Sequence, residues 1–202
     1  MSTAYRGGKL TFWFELASTY SYLSAMRIDA LADLAGVEVI WRPVPLGPIF
    51  GAQGWTTSPF NIYEAKGAYM WRDMERLCSA RGLGFRKPDP FPQNSIRAAR
   101  VALAALETPH GRDFVRALYL AQFTEGQDIA APATIGTALT TAGLPADLAS
   151  AADDPVYKEA LKTASADSIS MGLFGAPSFT VGNELFWGDD RLEDALNWAL
   201  SA

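Results

Sequence analysis

The chain has 202 residues, 49% of them apolar, and a formal charge of −5. That length suits one domain, or one domain with a sizeable insertion, and the apolar share suffices for a substantial core. The acidic balance argues against nucleic acid as a partner, and no apolar run is long enough to span a bilayer.

The first residues, Met1 to Lys9, are polar and contain glycine but no apolar run of the kind a secretory leader needs, so a cytoplasmic setting is the expectation. Residues 10–16 (LTFWFEL) are aromatic and β-prone and read as a buried strand. Leu23, Met26, Ala30 and Leu34 then recur at helical spacing, which predicts one helix. Between the two lies Ala17-Ser18-Thr19-Tyr20-Ser21-Tyr22-Leu23, which puts Ser18, Thr19 and Ser21 in the first turn. Amide N–H groups are unpaired there and the helix dipole favours negative charge. Gly36 supplies a stop, and residues 37–44 alternate as a second strand, giving a parallel βαβ unit. Pro43, Pro45, Gly47, Pro48, Gly51, Gly54 and Pro59 then predict a long irregular connection.

From about residue 61 to 170 the pattern is helical nearly throughout. Met70, Met74, Leu77 and Cys78 share one face; Ile96, Ala99, Leu103 and Leu106 share another, behind a cap at Asn94 or Ser95. The single cysteine, Cys78, excludes an internal disulfide or dithiol couple and reads as a small buried hydrophobe. The single histidine, His110, reads as a solvated loop residue, and one of each leaves no metal cluster to assemble. Two short strands around Gly182-Asn183 predict a hairpin. A last helix carries Leu192, Ala195, Leu196 and Ala199 on one stripe, with Asp190 and Glu193 spaced as a capping box.

The order βαβ, helical insertion, hairpin, helix is that of an α/β thioredoxin-like fold with an inserted α-helical domain. The expected division is 1–55 with 171–202 for the thioredoxin-like part and 56–170 for the insertion. Residues 12–23 (FWFELASTYSYL) resemble the N-terminal signature of 2-hydroxychromene-2-carboxylate isomerases and their kappa-class glutathione transferase relatives, of DsbA-like fold. Residues 174–179 (FGAPSF) and 185–192 (LFWGDDRL) resemble two further segments of that family. Residues 68–76 and 92–95 match its middle less sharply.

The resemblance implies glutathione as cofactor, a small aromatic or electrophilic substrate and a homodimer. Thioredoxin-like proteins carry C-x-x-C at the first helix; here Ser18-Thr19-Tyr20-Ser21 stands in its place, so the site would stabilise a borrowed thiolate. Ser18 is the implied catalytic residue, donating a hydrogen bond to the glutathione sulfur and lowering a thiol pKa of ~8.5. The bland reading of Ser18 is an inert helix cap. Thr19 replaces the family's usual proline, so either hydroxyl is placed to face the sulfur. Ala176 and Pro177 are implied to form a cis bond whose backbone pairs with the cysteinyl unit of glutathione. Trp187, Gly188, Asp189 and Asp190 complete the glutathione site, one aspartate taking the ammonium. Phe60, Asn61, Gln93 and Asn94 are the implied substrate contacts. The family's loop lysine maps near Phe50 and the arginine of its Asn-Arg pair near Asn61, and neither stands here; Arg42, Lys66 and Arg97 are the substitutes weighed. Trp55, Phe60, Tyr63, Tyr69 and Trp71 could roof a planar substrate or belong to core or interface.

The leading expectation is a glutathione-dependent isomerase of the 2-hydroxychromene-2-carboxylate / trans-o-hydroxybenzylidenepyruvate type. A kappa-like transferase or peroxidase, and a non-catalytic thiol- or peptide-binding module, are the alternatives. With Ser18 and Ser21 at the sulfur positions, an active disulfide oxidoreductase is nearly excluded.

Overall fold

The computed structural model describes residues 8–201. The expected absence of a leader rests on the first nine residues, of which 1–7 lie outside the described ones, as does Ala202 of the expected C-terminal unit. β1 (Lys9–Phe14) is the pivot of a four-stranded sheet in the order β2-β1-β3-β4. It runs parallel to β2 (Glu38–Pro43) and antiparallel to β3 (Ser178–Val181), and β4 (Glu184–Trp187) closes the hairpin. Both faces of β1 are covered towards its C-terminal end, which explains the apolar run Phe12-Trp13-Phe14. Leu10, Phe12 and Phe14 enter the main core, while Trp13 points the other way among Val44, Ile49 and Leu173. Phe12 stacks on Phe179 of β3 and meets Trp41 of β2 edge-on. Cross-strand aromatic pairs of this kind hold the register.

The helix predicted after β1 is two helices, α1 (Thr19–Ala25) and α2 (Ile28–Ala35). The chain breaks at Met26 and Arg27, where the Arg27 guanidinium reaches Asp189 and Glu193. Re-aiming after the break leaves Leu34 87% exposed, so that leucine is not part of the core stripe. Gly36 ends α2 with φ 70°, a left-handed conformation that favours glycine.

The stretch expected to be irregular after β2 contains α3 (Leu46–Ala52) and α4 (Pro59–Ile62). Pro48 is tolerated in α3 because it lies in the first turn, where amide N–H groups have no intrahelical acceptor. α5 (Glu64–Ala80), α6 (Ile96–Leu106), α7 (Gly111–Phe123), α8 (Pro132–Thr141) and α9 (Pro155–Ser170) follow, then β3, β4 and α10 (Leu192–Ser201). Buried residues of α5 to α9 share one continuous core with the sheet: Met70, Met74 and Cys78 from α5, Phe114, Leu118 and Tyr119 from α7. Asn94, rather than Ser95, caps α6, its Oδ1 accepting from the Ile96 amide at 3.1 Å. The capping box expected at Asp190 and Glu193 is not made; a 3-10 turn (Asp189–Arg191) precedes α10, and Glu193 pairs with Arg27.

Among the described residues no helix is long and apolar enough to cross a membrane, and no group of acidic, histidine and cysteine side chains could hold a metal.

Candidate active site

The strand-to-helix joint places Ser18 at the N-cap of α1 with extended backbone (φ −92°, ψ 124°). Its hydroxyl oxygen accepts from the Ser21 amide at 3.2 Å and its proton goes to the Ala176 carbonyl at 2.9 Å. The cap and the cross-link to the opposite loop are thus made by one side chain. Thr19 is 2% exposed, and its hydroxyl donates to the Met70 sulfur at 3.3 Å. Ser21 is fully buried and accepts from the Glu15 amide at 3.4 Å. Of the hydroxyls at the joint, Ser18's faces the Ala176 loop.

That loop is shaped by its own sequence. The Ala176–Pro177 bond is cis. A Cβ on Gly175 would fall 2.6 Å from the Trp187 indole nitrogen, so only glycine lets the ring lie against the loop. Phe174 and Trp187 pack together at 5.0 Å between ring centres, each about half exposed. Gly188, at φ 111°, donates its amide to the Pro177 carbonyl at 3.0 Å and ties the loop to the end of β4.

Ser18, Thr19 and Ala176 line a cavity of about 500 Å³. Its lining is rich in aromatic rings: Phe50 against Trp55, Phe174 against Trp187, and Phe60 and Phe91. The expected roof is divided. Trp55 and Phe60 line the cavity, Tyr63 and Tyr69 lie out in solvent, and Trp71 packs on Phe85 and Phe91.

Of the implied substrate contacts, Phe60, Gln93 and Asn94 are on the cavity wall. The Gln93 amide is taken up at both ends, donating to the Gln127 carbonyl and accepting from the Ile129 amide. Asn61 faces a separate, smaller depression and donates to the Phe91 carbonyl at 3.0 Å. Among the implied glutathione contacts, Ser18, Ala176 and Trp187 line the cavity, whereas Pro177 and Gly188 support it from behind. Asp189 sits elsewhere. It is 4% exposed, and its carboxylate accepts from the Ser24 hydroxyl at 2.9 Å, Arg27 at 3.2 Å and Arg81 at 2.7 Å. Both its oxygens are therefore engaged inside the protein, pinning the start of α10 to α1, α2 and α5. Asp190 is exposed on the outer side, beside Arg191.

One charged cavity residue escaped the sequence reading. Glu15 is 7% exposed, with one carboxyl oxygen accepting from the Leu46 amide at 2.8 Å and the other from the Ala17 amide at 3.2 Å. Burial pushes its pKa above the ordinary carboxylate range, against the Ser95 hydroxyl and these amides. An acidic residue closing an otherwise apolar strand was the available signal. Tyr20 is also raised, first by burial and then by its 2.9 Å hydrogen bond to Asp73.

Two 2-hydroxychromene-2-carboxylate isomerases are each 26% identical to this chain. The one from Sphingobium xenophagum matches over 91% of this chain and 94% of its own; the one from Pseudomonas putida matches over 90% and 89%. A solved structure of 2-hydroxychromene-2-carboxylate isomerase superposes with a TM-score of 0.82 at 22% identity, covering 94% of this chain and 95% of that one. The family model for the DSBA-like thioredoxin domain matches residues 9–197. The chain therefore belongs to the DSBA-like thioredoxin domain family, with α1 and the Ala176–Pro177 loop facing each other across the cavity.

Proposed function

We propose that this protein is a glutathione-dependent isomerase of aromatic-degradation intermediates, of the 2-hydroxychromene-2-carboxylate / trans-o-hydroxybenzylidenepyruvate type. The observation that carries the reading is the 2.9 Å hydrogen bond from Ser18 to the Ala176 carbonyl across the cavity floor. A donor hydroxyl and a peptide edge meet there, beside an aromatic-walled space. Two of the implied contacts fit the tripeptide: Ser18 offers a proton to a sulfur and the Ala176 backbone offers a strand-like edge, whereas Asp190, on the outer side beside Arg191, does not line the cavity. Bound there, glutathione would supply a thiolate whose addition to a conjugated enone makes the double bond single and free to rotate, and whose elimination restores the double bond in the other geometry.

The remaining work falls to the chain's own groups. The Ser18 hydroxyl, which donates to the Ala176 carbonyl here, would donate to the sulfur and favour its ionised form, acting as an activator that makes no covalent bond. The freed Ala176 carbonyl would accept an amide N–H of the ligand, so that no polar group is left unpaired by the exchange. The aromatic walls exclude water and hold a flat substrate. The two isomerases at 26% identity support this reading.

The test is to follow interconversion of the two isomers spectroscopically with and without glutathione, beside a panel of electrophiles that a conjugating transferase would consume. Glutathione-dependent interconversion is the expected result. Conjugation without interconversion, or no affinity for glutathione by calorimetry, would overturn the assignment.

A further inference from the structure

Glu15 is the one carboxylate among the described residues that line the cavity, and its two oxygens hold two different segments of the wall. Oε1 accepts from the Ala17 amide, in the joint that carries Ser18, and Oε2 from the Leu46 amide, at the first residue of α3. Pro45, at the N-cap of α3, has no side-chain acceptor for that amide, so a residue 31 positions earlier serves instead. Apart from bonds to residues 53–55, α3 makes no other hydrogen bond outside itself among the described residues. The Ser95 hydroxyl, just before α6, bonds the same carboxyl. Ala17, Leu46 and Ser95 all line the cavity, as does Phe50 from within α3.

Each of these partners is a donor, and an amide cannot turn its proton away. Ionised, the carboxylate accepts from all of them in charge-assisted bonds. Protonated, one oxygen carries a hydrogen of its own and the bonds it accepts weaken. Burial works against the charge and holds the pKa above its ordinary 4.5, so both forms come within reach of mild buffers. Few other titratable or charged groups face the carboxyl. Tyr119 of α7 donates its phenol proton to the Glu15 backbone carbonyl at 3.0 Å, and Lys66 of α5 is the other charged residue among the described lining. No ion pair among the described residues reaches Glu15, so its charge is held by hydrogen bonds alone.

We propose that Glu15 is a positioning residue whose ionised carboxylate, by gripping the Ala17 and Leu46 amides together, sets the α3 wall against the Ser18 joint, so that the cavity takes up a flat aromatic ligand more tightly when Glu15 is charged. The carboxylate acts through Phe50 and the joint and does not itself hold the ligand. The aromatic lining supplies the affinity, and the clasp supplies the spacing at which that lining fits. This role is independent of the isomerase reading, since it concerns binding alone.

The experiment titrates the neutral fluorophore N-phenyl-1-naphthylamine into wild type, Glu15→Gln and Ser95→Ala between about pH 5.5 and about pH 8, with circular dichroism confirming the fold at each pH. A neutral probe offers Lys66 no charge to select. Wild type should bind about fivefold more tightly at the upper end than at the lower, with one inflection at the Glu15 pKa. Glu15→Gln, similar in shape and permanently uncharged, should bind at the weak low-pH level throughout. Ser95→Ala removes a donor that favours the ionised form, so its inflection should move to higher pH. A merely structural role for Glu15 would lower stability without setting or moving that inflection. Wild-type affinity flat with pH, an inflection that survives in Glu15→Gln or stays put in Ser95→Ala, or no uptake of the probe by wild type would each overturn the proposal. If Glu15→Gln fails to fold, the Ser95→Ala shift decides.

Discussion

Replacing Ser18 with alanine separates the two jobs its hydroxyl performs. The structural job is the helix cap to the Ser21 amide at 3.2 Å and the cross-link to the Ala176 carbonyl at 2.9 Å. Loss of an N-cap costs about 1 kcal/mol, and the carbonyl keeps access to water in the cavity, so the total should be about 1–2 kcal/mol. In a chain of this size that lowers Tm by roughly 2–8 °C, and the protein should still fold. The chemical job is larger in effect. A hydroxyl donating to a thiolate makes a charge-assisted hydrogen bond worth about 1.5–3 kcal/mol. At about 1.36 kcal/mol per unit, its loss raises the bound thiol pKa by roughly one to two units. Turnover at neutral pH should therefore fall about tenfold to a hundredfold and recover as pH rises past the variant's thiol pKa. The assay pairs far-ultraviolet absorbance of the thiolate, titrated with bound glutathione, with kcat measured over the same pH range. Thr19→Val is the control. Its hydroxyl is committed to Met70, so turnover should stay essentially that of wild type. An unchanged thiolate titration in Ser18→Ala, or a larger effect in Thr19→Val, would refute the assignment of the hydroxyl.

Further outcomes follow from the groups around the site. Asp189→Asn removes the charge that balances Arg27 and Arg81 in a half-buried cluster, and should lower unfolding stability by about 2–3 kcal/mol in urea, whereas Asp190→Asn should stay within about 0.5 kcal/mol. Cys78 is 1% exposed and burial pushes its thiol up to about 11, so it should resist iodoacetamide in the folded protein and react only after denaturation. Glu15 has a folded pKa above its ordinary 4.5, so the folded state binds more protons than the unfolded one as pH rises through that value. Its contribution to stability is thus present at low pH and lost as pH rises from the unfolded pKa to the folded one, at no more than about 1.4 kcal/mol per unit. Glu15→Gln should cancel this slope, so the advantage of wild type over variant, read from urea midpoints, should shrink with rising pH; an advantage that grows would contradict the burial argument.

What the sequence made legible is what depends on near neighbours in the chain. The β1 strand, the Ser18 joint, the hairpin at Gly182-Asn183 and the stop at Gly36 each follow from a few adjacent residues, and each stands where expected. The α3 helix was hidden because Pro48, Gly47 and Gly51 signal a break, and only the placement of the proline within the first turn makes a helix tolerable. Leu34 fitted the periodicity of a helix that the chain interrupts at Arg27. Arg27, at that interruption, pairs with Asp189, 162 residues away and beyond the reach of any local pattern.

The same distance argument explains which parts of the site were read and which were not. Ser18 and Ala176 were recognisable because each sits in its own short motif, although the hydrogen bond joining them spans 158 residues. Asp189 also sits in a motif, yet its neighbours there say nothing about Ser24, Arg27 and Arg81, which take its carboxylate inward. A motif therefore fixes the backbone around a carboxylate more firmly than it fixes the carboxylate's partner. The partner is set by which cations the fold brings within reach, and the desolvation cost of a buried carboxylate makes those cations decisive. Lys66 is the converse case. No motif marks it, but α4, α5 and Gly67 together bring it to the cavity, where it is the one cation among the described lining residues. The place of this one cation thus depends on how two helices pack, and that packing turns on a glycine that carries no charge itself.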